Sequence, residues 1–143
     1  MKQTVSETLF HLLPLLDRKF IKPFVQQYKD DLTPLQIQVL MTLAQKEGLT
    51  MTALANELLI PKQQMTPIID KLVVKGFVQR ENNSTDRRTI RISLTASAAE
   101  FIASSKQLTL NILSAKLDSL DPCDLHVLNK ALNDLYLIAA KIP

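Results

Sequence analysis

The chain has 143 residues, 46% of them apolar, with a net charge of +3 and only two glycines. That length and apolar content support one real core and exclude a disordered polyelectrolyte, while so few glycines argue against a β-sandwich or a phosphate-cradling enzyme and favour helices joined by short turns. A single cysteine excludes an internal disulfide and fits a reducing, cytoplasmic setting, and no apolar run reaches the length of a membrane span.

The first expected element is a helix over 5–28. Val5, Leu9, Leu12, Leu13, Leu16, Phe20 and Phe24 recur three and four apart and make one apolar stripe. Pro14 and Pro23 sit inside it, each removing a backbone donor, so the helix kinks or splits. His11 and Pro14 interrupt the apolar run at 9–16 and no small-residue cleavage site follows, which speaks against a signal peptide. Residues 30–34 break the pattern. Thr33 is then an N-cap, Pro34 the first helical residue and Gln36 the partner in a capping box, with Leu32 and Ile37 able to staple across it. That helix is expected to run to about Lys46, turning Leu35, Val39, Leu40 and Leu43 inward, and Gly48 ends it.

Thr50 caps a shorter helix over 51–59, with Leu54, Ala55 and Leu58 toward the core; Ala55 is small enough for a second helix to cross closely. After a turn at Leu59-Ile60-Pro61 comes a helix over 62–75 with Met65, Ile68, Ile69 and Leu72 on its apolar face and Gly76 as a C-cap able to take positive φ. A shorter helix starting from Thr66 as cap, with Pro67 first, is the alternative. Two short helices and a tight turn describe a helix-turn-helix. Residues 77–80 and 89–94 both alternate, with Ile90, Ile92 and Leu94 on one face and Arg91 and Ser93 on the other, around a polar tip at 81–88 that carries Asp86-Arg87-Arg88. A helix-turn-helix followed by a two-stranded hairpin is a winged helix. Thr95 or Ser97 caps a long helix containing Ala98, Phe101, Ile102, Ser105, Leu108, Ile112 and Leu117. Asp121, Pro122 and Asp124 open the last helix, where Leu125, Leu128, Leu132, Leu135, Ala139 and Ile142 form a heptad seam.

Charge is gathered in one part of the chain. Residues 61–91 hold seven bases against three acids, a local +4 that leaves −1 for the rest. Such a patch beside a winged helix suits a DNA duplex, with the helix in a major groove and the hairpin at the neighbouring minor groove. On the 62–75 helix, Gln63, Thr66, Pro67, Asp70 and Val74 face away from the apolar side, flanked by Lys62, Gln64 and Lys71. Gln suits bidentate contact with adenine, and Pro67 can meet a thymine methyl. Lys62 and Lys71 are placed for phosphates, which position the protein without reading sequence. On the wing, Arg87 is expected at phosphate. An acid such as Asp86 can fix a flexible guanidinium before binding, and a narrow minor groove attracts arginine.

These residues resemble the winged-helix regulators of the multiple antibiotic resistance (MarR) type. The matching pieces are LTPLQIQVLMTLAQ at 32–45, LTMTALANELLI at 49–60, MTPIIDKLVVKGFVQR at 65–80, DRR at 86–88 and LTASA at 94–98, where Ala98 replaces the usual glycine. The resemblance implies a mainly α single domain over 1–143: a winged lobe at 32–98, flanked by dimerisation helices at 1–29 and 105–143 that interlock two subunits, including the Leu125, Leu128, Leu132 and Leu135 seam. It implies a homodimeric, sequence-specific double-stranded DNA-binding transcriptional regulator on an inverted-repeat operator. Repression relieved by a small-molecule effector or by thiol oxidation is common in the family, as is a wing in which the acid (here Asp86) holds the minor-groove arginine (here Arg88). The effector-binding residues are not identifiable from the sequence.

Two other readings compete. One is a winged-helix module for a protein partner, its basic wing incidental. The other is a redox-switched regulator through Cys123, which lies in the first turn of a helix where the dipole favours a reactive thiol; the plain alternative is a small residue filling a gap. His11 and His126 have no ligand set at metal spacing, and no nucleophile elbow, HExxH or phosphate loop occurs. No metal, no cofactor, no enzymatic activity and no membrane partner are therefore expected.

Overall fold

A computed structural model describes residues 1–28, 31–82, 85–86 and 88–143. The order is α1 (Lys2–Leu16), a π-helical turn (Asp17–Ile21), α2 (Lys22–Gln26), α3 (Pro34–Gln45), β1 (Leu49–Thr50), α4 (Met51–Glu57), α5 (Lys62–Val74), β2 (Val78–Asn82), β3 (Ile90–Leu94), α6 (Ala96–Leu117) and α7 (Pro122–Ala139). It is a mainly α winged helix. The chain divides into two compact units, Met1–Lys106 and Gln107–Pro143.

In the first unit the two prolines behave differently. α1 runs through Pro14. Pro23, by contrast, stands in the first turn of α2, immediately after the π turn. Its ring has no N–H for the Lys19 carbonyl, and the wider turn absorbs the mismatch. The Thr33 box is complete: Gln36 N–H donates to Thr33 Oγ1 (3.3 Å) and Thr33 N–H to Gln36 Oε1 (3.0 Å). Leu32 and Ile37 are both buried beneath it.

Helix α4 stops at Glu57, earlier than its apolar spacing suggested, because Leu59 takes a left-handed backbone (φ 54°) and Ile60 N–H bonds back to the Ala55 carbonyl at 2.9 Å. Leu59 closes α4 as a glycine would. Gly76 (φ 76°) closes α5 the same way, with Phe77 N–H on the Leu72 carbonyl at 3.0 Å. Thr95, not Ser97, opens α6: its Oγ1 accepts from Ala98 N–H (3.2 Å) and donates to the Gly76 carbonyl (2.6 Å), tying the end of α5 to the start of α6.

The wing has a third strand that the sequence reading lacked. The sheet order is β1-β3-β2, all antiparallel, with Leu49 opposite Ile92 and Val78 opposite Leu94. At two residues, β1 is too short for alternation to reveal. The hairpin is also longer: Glu81 and Asn82, expected in the loop tip, pair with Arg91 and Ile90. Val39 (α3), Leu54 (α4), Met65, Ile69 and Leu72 (α5) and Ile92 (β3) are fully buried, so the three helices and the sheet share one core. Phe101 extends it through ring contacts to Tyr28 (5.8 Å) and Phe77 (5.0 Å).

In the second unit, Asp121 caps α7 through Asp124 N–H (2.8 Å) and Pro122 is its first residue. No residue of α7 is buried.

Candidate nucleic-acid interface

Helix α5 packs through Met65, Ile69 and Leu72, which leaves Lys62, Gln63, Gln64, Thr66, Pro67 and Lys71 on its exposed side. The helix starts at Lys62 with Pro61 as N-cap, so Thr66 is not its cap and Pro67 lies in its second turn. Pro67 leaves the Gln63 carbonyl without its usual partner, on the side open to water, where that loss is small.

On the wing, the Asp86 carboxylate accepts from the Arg88 backbone N–H (2.9 Å) and the Thr89 hydroxyl (3.2 Å). The acid therefore holds the turn itself rather than the Arg88 guanidinium. Among the described residues Arg88 has no ion pair, which leaves its charge available. Arg87 lies outside the described residues.

The helix and the wing face a common groove of about 640 Å³. Lys62 and Thr66 from α5, Arg80 from β2, and Arg88, Thr89 and Ile90 from the wing line it, with Thr50, Met51 and Thr52 at the start of α4. Three cations and no acid stand among these described residues. The sequence reading missed Arg80 as a site residue. Two residues after Val78 it shares that residue's face of β2, yet it is exposed and finds its partner at the surface. That partner is Asp70 of α5, which accepts from Arg80 Nη2. The pair ties helix to wing and sets Arg80 at the groove's edge.

The seam residues Leu125, Leu132 and Leu135 are exposed, at 37%, 52% and 41%, and Leu128 is half-buried. Cys123 is free and exposed near the start of α7, so it fills no gap in the chain. Among the described residues no helix is long and apolar enough to cross a membrane.

A profile described as the MarR family matches residues 30–89, the segment that holds α3, the helix-turn-helix and most of the wing. Over that segment the chain is similar to the MarR family. Similar proteins include the HTH-type transcriptional regulator SarZ of Staphylococcus haemolyticus, 31% identical over 94 residues, 65% of this chain and 64% of SarZ. An HTH-type transcriptional regulator of Mycobacterium bovis is 27% identical over 108 residues, 76% of each chain. The match thus spans less than two thirds of SarZ. Among solved structures, a MarR family protein from Bacillus stearothermophilus superposes with a TM-score of 0.80 at 21% identity, covering 98% of both chains. Wild-type MarR from E. coli, in its apo form, gives 0.75 at 23%, covering 89% of this chain and 96% of that one. These two likenesses establish the winged-helix fold.

Proposed function

We propose that this protein is a transcriptional regulator that binds double-stranded DNA in a sequence-specific way as a homodimer. One observation carries the reading: Lys62 of α5, Arg80 of β2 and Arg88 of the wing border the same groove, with no acid among its described lining residues. A duplex meets these elements together, with α5 in the major groove and Arg88 toward the flanking minor groove. Gln63, Gln64, Thr66 and Pro67 are the base-reading residues. Lys62, Lys71 and Arg87 neutralise phosphates, while Arg80, paired with Asp70, fixes the wing against α5. The match of residues 30–89 to the MarR family profile and the SarZ likeness support the same reading.

The dimer is formed by 1–29 and 105–143. α1 and α7 have no buried residue, yet carry Val5, Leu9, Leu13, Leu125, Leu132 and Leu135. Apolar stripes of that length in a globular chain mark association surfaces. Two-fold symmetry then sets the α5 pair about 34–36 Å apart on an inverted repeat. The protein acts as a repressor, relieved by a small ligand that favours another spacing of the two α5 helices. Selection of bound sequences from randomised duplexes tests the proposal directly. An enriched inverted repeat is expected; recovery of unenriched sequences overturns sequence-specific binding.

A further inference from the structure

A second cavity, of about 570 Å³, lies between the end of α3, the sheet and the start of α6. Its sheet lining is Gln79, Glu81 and Ser93 on the face opposite the groove, with Leu94 at the end of β3. Gln79, Glu81 and Ser93 alternate with Arg80, Ile90 and Ile92, so they point away from the cationic side. Its volume is that of a small-molecule site, and it combines an apolar floor with a few polar groups. Leu43, Leu94 and Ile102 supply the floor.

The charge here is the reverse of the groove's. Glu47 and Glu81 line the cavity and no cation does, among the described residues. Glu81 accepts from Gln79 Nε2 at 2.9 Å. Glu47 makes no hydrogen bond or ion pair among the described residues, whereas its neighbour Lys46 is turned to Glu57 (2.7 Å). Arg91 shares the sheet face with Glu81, but its guanidinium is drawn to the Gly48 carbonyl (2.7 Å) and pairs with neither carboxylate. Ser93 Oγ is buried and has no hydrogen-bond partner among the described residues.

We propose that this cavity binds a small organic cation: a protonated primary amine carried on an apolar body of about one aromatic ring. The ammonium sits between Glu47 and Glu81. The ring lies on Leu43, Leu94 and Ile102. An anion of the same shape is repelled, and a neutral alcohol lacks the charge attraction.

The test is calorimetric titration of the full chain with 2-phenylethylamine at neutral pH, alongside phenylacetate and 2-phenylethanol. No DNA is present, so the result stands apart from the DNA-binding reading, which duplex titration of the same preparations checks separately. The amine is expected to bind saturably and the anion not at all. Glu47→Gln and Glu81→Gln should each weaken the amine about ten-fold. Ala103→Trp, a change at an exposed lining residue, should block the cavity without touching the core. Circular dichroism verifies that each variant is folded. Three outcomes overturn the proposal: no saturable amine binding up to millimolar concentration, equal binding of all three probes, or amine binding undiminished in both glutamine variants.

Discussion

Replacing Lys62 by alanine tests how the interface works, because the structure isolates its charge. Lys62 is the first residue of α5, is exposed, lines the cationic groove and has no ion pair among the described residues. Its removal leaves the core intact, so changes in DNA affinity report on contact rather than folding. In a symmetric dimer the substitution removes one phosphate contact per subunit. Each neutralised phosphate contributes about −0.9 to the slope of log K against log salt, so the slope should become shallower by about 1.8. Between 50 and 200 mM salt, that difference makes the wild-type advantage shrink by about ten-fold. A phosphate contact carries no sequence information, so the operator and a scrambled duplex should lose affinity alike. Fluorescence anisotropy with both labelled duplexes across a salt series measures all three quantities. An unchanged slope with a loss confined to the operator would refute the phosphate assignment and make Lys62 a base reader. No loss on either duplex would show that the groove does not face DNA.

Arg88→Ala should behave oppositely in the same assay, weakening the operator about ten-fold or more while sparing the scrambled duplex, since a minor-groove arginine reads local shape. Leu132→Asp places a charge in the exposed seam of α7 and should convert the dimer to monomer in analytical ultracentrifugation; an unchanged sedimentation coefficient would remove α7 from the interface. Leu54→Ala empties a fully buried position at the contact of α4 with α5 and should cost about 2–5 kcal/mol in urea unfolding. Gly76→Ala meets no atom within 4 Å, so its expected cost of about 1 kcal/mol is purely that of forcing a side chain into a left-handed backbone at φ 76°; a neutral result would show that the C-cap relaxes.

Local chemistry made much of this molecule legible from its residues. The Thr33–Gln36 box, the glycine stop at Gly76, the apolar side of α5 and the Asp121–Pro122 start of α7 depend on neighbours within a turn or two. Such signals survive in a single sequence. Several features instead depended on partners far along the chain. Strand β1 exists only because β3 offers Ile92 and Arg91 as partners. Helix α4 ends early because Ile60 reaches back to Ala55 through a left-handed Leu59, a conformation a leucine does not advertise. Arg80 became a groove residue only when Asp70 of α5 was found beside it. Asp86 likewise turned out to hold backbone where a guanidinium was expected. The cavity with Glu47 and Glu81 gathers residues more than thirty positions apart, and no periodicity records that. The sequence by itself therefore determined which segments are helices, which side of each is apolar and where positive charge concentrates, because those follow from short-range sterics and hydrogen bonding. Only the tertiary structure decided which charges share a surface and which pair off, because those distances are set by how the helices and sheet close over one core.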